Sequence, residues 1–439
     1  MKNYSFFIAL FLAGFQLSAQ EPGQPLPAWE EGMLDLHHIN TGRGDAAFYI
    51  LPDGTTMLVD AGEMDPTHPR TLSPRNAVIH PNDSKTASEW IAWYVKKVMP
   101  AGKSPKIDYA LITHFHDDHF GVYHEGAKNS KNGDYVCTGI TGVGDEVKIG
   151  KLIDRGYPDY NFPVDLKKSL QEKATKNKEA EKDLKTMENY WNFIDFHTNN
   201  SGMKAEKLIA GRNDQITLIN KPEEFKNFKV QNVKSNGTIW TGKGTSTIEH
   251  FPGQENGNLK YIPGENPLSL AYLIEYGNFR FYNGGDNPGI ADLGTPEWND
   301  VGTSIARAVG EVDVAVMDHH GNRDSHNEFN IKTLRPRVWI QQTWSSDHPG
   351  HEVLRRVTSE YLYPGPRDMF ATNMLEPNKQ VIGPSLENSY KSLDGHIVLR
   401  VMPGGNEYFV IILNDENEEN EINAVFGPYQ SKKKQPIKN

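Results

Sequence analysis

Apolar and polar positions alternate in two rhythms along this chain, and the changes of rhythm mark its elements. Met33–Ile39, Ala46–Leu51 and Thr56–Gly62 carry short strand-like runs, with Pro52-Asp53-Gly54 as a hairpin turn between the last two. Over 84–99 the period lengthens. Trp90, Ile91, Tyr94, Val95 and Val98 recur at helical spacing, Ser84 or Thr86 offers a cap, and Pro100 ends the helix. Ile107–Thr113 then reads as a buried strand running directly into His114. Strand patterns return at Leu268–Tyr276, Phe279–Tyr282, Val312–Met317 and Val338–Ile340, with a helix over Thr303–Val309. His396–Met402 and Glu407–Leu413 flank Pro403-Gly404-Gly405-Asn406, a hairpin signal.

Between these regular parts, residues 123–235 hold no steady period beyond a charged helix over Lys167–Trp191, and they read as an insertion in a larger fold. Residues 21–32 read as a Pro/Gly/Glu-rich linker, 33–415 as one domain, and 416–439 as a flexible tail. The chain is long enough at 439 residues for a large core, and 39 Gly with 27 Pro suit a loop-rich enzyme better than a bundle.

The first twenty residues read as a secretory signal: Lys2, then an apolar core from Phe6 to Phe15, then a small-residue cleavage site at Leu17–Gln20. No later run reaches the roughly 18–20 apolar residues of a spanning helix. An exported protein, periplasmic or secreted, is the expectation. The single cysteine, Cys137, allows neither an internal disulfide nor a cysteine metal knuckle. Any transition-metal site must therefore use histidine and carboxylate. The net charge of −11 argues against a tight grip on long polyanions, although the Lys167–Lys185 stretch could cover a phosphate locally.

The chemistry concentrates in Thr113-His114-Phe115-His116-Asp117-Asp118-His119-Phe120-Gly121. Four candidate ligands, His114, His116, Asp118 and His119, fall within six residues just after an apolar strand. In extended backbone His114 and His116 point to one side. Neutral imidazole with carboxylate suits zinc, manganese or iron. Asp60, Asp286, and the pair His319 and His320 also stand at strand ends, where open sheets assemble their sites.

These residues resemble the metallo-β-lactamase superfamily, whose signature is HxHxDH after a strand. The nearer likeness is to its ComEC-like branch, the hydrolase domain of competence proteins. It is carried by Ile39–Ala46, Val59–Gly62, the HFHDDHFG run, Glu265–Leu270, Asn283–Asp286 and His319–Gly321. The likeness covers about 33–122 and 245–345 and leaves 123–235 uncovered.

The resemblance implies an α/β (α+β) fold, a four-layered αββα sandwich with a partly helical insertion. It implies that His114 and His116 hold a first metal, that Asp118 and His119 hold a second, and that Asp286 bridges both. His320, with His319 as competitor, matches the last histidine ligand, and Asp60 matches a carboxylate that orients a metal-bound imidazole. A further histidine on the first metal has no close counterpart: His250 is the nearest upstream candidate, the alternative being an open position. No cysteine occupies the second-metal position, which argues against an antibiotic-degrading lactamase.

The implied cofactor is a pair of divalent metal ions, zinc first and manganese or iron next. In such sites two metals about 3.5–4 Å apart activate a water for attack. Asp118, His320, His319 and Asp60 are the candidate catalytic residues, and His319 or Asp117 could protonate a leaving group. A phosphodiester is the favoured substrate, in a nucleotide, nucleic acid or headgroup. A carboxyl ester, lactone or thioester comes next. A catalytically degenerate metal-binding scaffold is the alternative from another class.

Overall fold

The strand patterns assemble into two nine-stranded sheets. A computed structural model describes residues 21–291 and 294–433. The leader expected over residues 1–20 lies outside the described residues, as do the last residues of the basic tail.

Across the first sheet the strands run Ile422–Gln430, Glu407–Leu413, His396–Val401, Leu34–His38, Ala46–Ile50, Thr56–Ala61, Lys106–Leu111, Lys148–Asp154 and Lys204–Lys207. Pairing is antiparallel as far as Thr56–Ala61 and parallel beyond it. The second sheet runs Thr247–Glu249, Thr238–Trp240, Phe228–Ser235, Ala271–Tyr276, Phe279–Asn283, Val314–Val316, Val338–Gln341, Asp368–Ala371 and Tyr390–Ser392. It turns parallel after Phe279–Asn283.

Strand alternation explains how the layers stack. In Ala46–Ile50 every residue is buried, yet the two sets go to different places. Ala47 and Tyr49 join the core between the sheets, with Val230, Tyr272, Phe281 and Ile340 from the opposite one. Ala46, Phe48 and Ile50 face the helices that cover the first sheet, packing with Ile91, Val95 and Ile140. A third core lies behind the second sheet, where Leu273 and Trp339 meet Ile305, Val309 and Leu354. The result is the four-layered αββα sandwich. Helix Ala87–Val98 begins with a capping box between Thr86 and Glu89, so Thr86 is the cap and Ser84 is not.

Two expectations need correction. Residues 123–235, expected as an insertion in a larger fold, instead supply strands to both sheets. Lys148–Asp154 and Lys204–Lys207 extend the first sheet, and Phe228–Ser235 is an inner strand of the second. Lysines in these strands, exposed or partly exposed apart from the buried Lys234, diluted their apolar signal. The helices Leu166–Ala174 and Lys178–Asn200 are the part that stands outside the sheets. Nor is 416–439 all tail, because Ile422–Gln430 pairs along Glu407–Leu413. The acidic run before it is a hairpin loop. The linker is tied to this same strand, through Gly23 N–H to Ile422 O and Ile422 N–H to Gln24 O. Among the described residues, no helix is long and apolar enough to cross a membrane.

Candidate metal centre

The site forms where strand ends of both sheets meet. Lys106–Leu111 delivers Thr113 and His114 to the sheet edge, and a single helical turn, Asp117–Phe120, follows at once. That turn packs very close to the loops beside it. A Cβ at Gly44 or Gly62 would collide with the Asp118 backbone, whose carbonyl accepts the Asp45 N–H. The absence of side chains there lets the ligand-bearing turn seat against the first sheet.

Asp286 enters from the second sheet after Gly284-Gly285, its N–H donating to Ser269 Oγ at 3.2 Å. His319 and His320 follow Val314–Val316 with φ of 48° and 52°, in the left-handed region that costs a non-glycine residue energy. The turn is held by His319 N–H to Gly285 O and by Gln341 Nε2 to His320 O.

Six of the expected ligands converge in two groups that share Asp286. Asp118, His119, Asp286 and His320 make one, and His114, His116 and Asp286 the other; the candidate ligand atoms of each group all lie within 4.8 Å of one another. His119 Nε2 stands 3.2 Å from Asp286 Oδ1 and 3.7 Å from Asp118 Oδ2. His320 Nε2 lies 3.1 Å from Asp118 Oδ2 and 3.5 Å from Asp286 Oδ2. In the other group His114 Nε2 is 3.1 Å from His116 Nδ1 and 3.7 Å from Asp286 Oδ2.

Supporting contacts orient these rings. Asp60 accepts the Nδ1 proton of His119 at 2.9 Å and also takes the Thr113 N–H and hydroxyl. His320 Nδ1 faces the Gln342 carbonyl at 3.2 Å and Asp45 Oδ1 at 3.1 Å, and its ring stacks on His348. His319 turns elsewhere. Its Nδ1 meets Asp324 at 2.6 Å, and Asn266 Nδ2 donates to its Nε2 at 3.1 Å. His320 is therefore the histidine that joins the ligand group, while His319 stands beside it, 3.8 Å from Asp286.

His250 does not join either group. Its Nε2 bonds Trp298 O at 2.7 Å, and its Nδ1 lies 3.3 Å from Ser304 Oγ, on helix Val301–Val309. It follows the edge strand Thr247–Glu249, which the sheet order puts away from the strand ends that carry the ligands.

The electrostatics suit a cation. Burial opposes charge on His119 and His320, but the carboxylates around them outweigh it and push both well above the ordinary imidazole range. Burial and the neighbouring His119 hold His114 well below that range. Burial works against ionised Asp286, and the surrounding histidines reverse it, holding the carboxyl well below its ordinary value. His119 Nε2 is buried without a hydrogen-bond partner. A buried ring nitrogen without a hydrogen bond, facing two carboxylates, is where a metal ion fits in place of a proton, and the donor set of imidazole and carboxylate fits zinc or manganese.

His116 and Asp117 open onto a cleft of about 420 Å³. Phe115, Leu170, Met187 and Leu268 give it an apolar wall, while Arg70 and Lys173 are cations on its lining. The charged helices Leu166–Ala174 and Lys178–Asn200 supply much of that lining, so the Lys167–Lys185 stretch does flank the site. Its lysines alternate with Glu179 and Asp183 there, and Lys182 is paired with Asp65.

Sequence reasoning missed Asp45, Arg155, Gln342 and His348 around the ligands. Asp45 lies in the Ile39–Ala46 segment that carries the resemblance, with no role assigned to it, and Arg155 follows a strand hidden in the supposed insertion. No family model matches the chain, and no curated protein matches it. Several solved structures are similar in shape. The CmlA β-hydroxylase aligns at 12% identity and a TM-score of 0.35 over 86% of this chain, which spans about half of that protein, 55%. Zn²⁺-bound PqqB from Methylobacterium extorquens aligns at 12% identity and 0.33, over 81% of this chain and 86% of that one. The metallo-β-lactamase fold protein YhfI from Bacillus subtilis aligns at 10% identity and 0.34, over 82% of this chain and 95% of that one.

Proposed function

We propose that this chain is an exported, metal-dependent hydrolase that cleaves a phosphodiester in a small substrate. The observation that carries the reading is the sharing of Asp286 between two groups of candidate ligands, all buried except His116, which faces the cleft. His114, His116 and Asp286 would hold one divalent ion, and Asp118, His119, Asp286 and His320 the other. Ions bound there would activate a water and stabilise charge developing on the substrate.

The chain's own residues do the rest. Asp60 keeps a proton on His119 Nδ1, leaving Nε2 free as a ligand atom. Gln342 O and Asp45 do the same for His320. His319 is partly open to solvent, and burial lowers its basicity less than Asp286 and Asp324 raise it. It is suited to hand a proton to the leaving oxygen, with Asp117 as the other candidate.

Arg70 and Lys173 in the cleft favour an anionic substrate, and the ComEC-like motif set favours phosphorus chemistry. The cleft's mixed charge and size favour a nucleotide or headgroup over a long nucleic acid. Its apolar wall supports a second reading, a carboxyl-ester, lactone or thioester hydrolase. A scaffold that binds metal and cleaves nothing is the remaining alternative.

The test is metal content of the purified mature protein, with bis-p-nitrophenyl phosphate turnover measured before and after chelation. About two metals per chain with chelator-sensitive turnover is the expected result. Two metals without turnover would move the reading to carboxyl esters or thioesters, and one metal or none without turnover to the scaffold.

A further inference from the structure

We infer that Glu265, clamped by Arg155, is a positioning residue for the His114–His116 half of the metal centre. The inference rests on the metal-binding part of the proposed function and not on its substrate.

Arg155 follows strand Lys148–Asp154 and is 1% exposed. Its guanidinium grips the Glu265 carboxylate at two points, Nε to Oε1 and Nη2 to Oε2, each 2.7 Å. A two-point grip of this kind fixes the plane of the carboxylate as well as its position. Oε1 also accepts the N–H of Phe115 at 2.9 Å, while the rest of the carboxylate borders the cleft. Phe115 stands between His114 and His116, so this bond anchors the link between the two ligands of one group. The Arg155 guanidinium also lies over the Phe115 ring, 4.7 Å from its centroid. Arg155 is itself held by Nη1 to Phe162 O at 3.1 Å and by Asn236 Nδ2 to its own carbonyl at 2.8 Å.

The short loop that carries Glu265 reaches the other ligand segments too. Asn266 holds His319, and Ser269 Oγ takes the Asp286 N–H. Leu270 N–H bonds Thr113 O just before His114. Lys234, fully buried, ties the loop down by donating to Pro267 O and Ser269 O at 2.8 Å each. Three ligand-bearing segments therefore hang on residues 265–270, and Glu265 is the member that reads the His114–His116 segment. A group that only braces a loop would serve stability alone. One that fixes two ligands relative to each other sets metal affinity.

The experiment is a stepwise zinc titration of the full chain against a competing chelator, with thermal melting of the same samples. Glu265→Gln keeps the size and removes the charge that holds Arg155. The expected result is a drop of about 10–100-fold in affinity for one zinc, the other step shifting far less. Arg155→Lys, which keeps a cation and loses the two-point grip, should weaken the same step by less, and it serves if Glu265→Gln does not fold. Two zinc ions bound at wild-type affinity in the variants, whatever their melting temperatures, would overturn the inference and leave the site's reading intact. Wild-type protein that binds no zinc would overturn both.

Discussion

Asp60 Oδ2 accepts the Nδ1 proton of His119 at 2.9 Å, from a carboxylate whose other bonds go to Thr113, the residue before His114. One buried side chain thus sets the tautomer of one ligand and the backbone position of another. Asp60→Ala is expected to weaken metal binding about 10–100-fold without removing any ligand. Elemental analysis after dialysis reads it. Retention of two tightly held metals would sink the assignment.

His116 contributes to a ligand group from the open side of the site, where it lines the cleft. His116→Ala removes a ligand without opening a core cavity. Chelator-sensitive turnover should fall by orders of magnitude while the melting temperature stays within a few degrees of wild type. Full activity in this variant would remove His116 from the chemistry.

Chelation should also be felt by the fold. Asp118, Asp286 and Asp60 are buried together, and their mutual repulsion is balanced by charge on His119 and His320. A ligand that binds only the folded state raises stability by mass action, so zinc should raise the melting temperature of stripped protein in a concentration-dependent way. An identical melting curve with and without zinc speaks against a metal centre.

Far from the site, Arg400 grips Asp35 by two nitrogens between neighbouring strands, with both side chains buried. Removing one partner of such a pair strands the other charge. Arg400→Ala should cost about 3–5 kcal/mol in urea unfolding. A cost under about 1 kcal/mol would mean that water reaches Asp35.

Acid stability follows from two buried imidazoles on the Tyr94 side of the first sheet. Burial lowers His37 to about 4 and His396 to about 3, from an ordinary 6.5. The folded values lie below the unfolded ones, so between pH 6.5 and 4 the unfolded chain binds more protons. The stabilisation is whole above 6.5 and is lost progressively as the pH falls. Unfolding at pH 5 should take up protons, and both rings should stay neutral there by NMR. Ordinary titration of both near 6.5 would contradict this.

The sequence by itself determined the chemistry of the candidate ligands and the strand ends that carry them. His114, His116, Asp118 and His119 are a local pattern within six residues, from a strand end into one helical turn, and the apolar runs before Asp60, His114, Asp286 and His320 mark buried strands. Which residues complete the site was decided only in three dimensions. His319 and His320 are neighbours in sequence, and the left-handed turn sends one to Asp118 and the other to Asp324. His250, the nearest upstream histidine in sequence, is spent on Trp298. Strand pairing is a long-range choice, so the lysine-diluted strands within 123–235 gained their status from partners dozens of residues away, and the strand after the acidic loop from a single hairpin. Glu265 lies in a quoted motif, but its pairing with Arg155, 110 positions away, has no local signal; a buried ion pair exists only once the sheets have met.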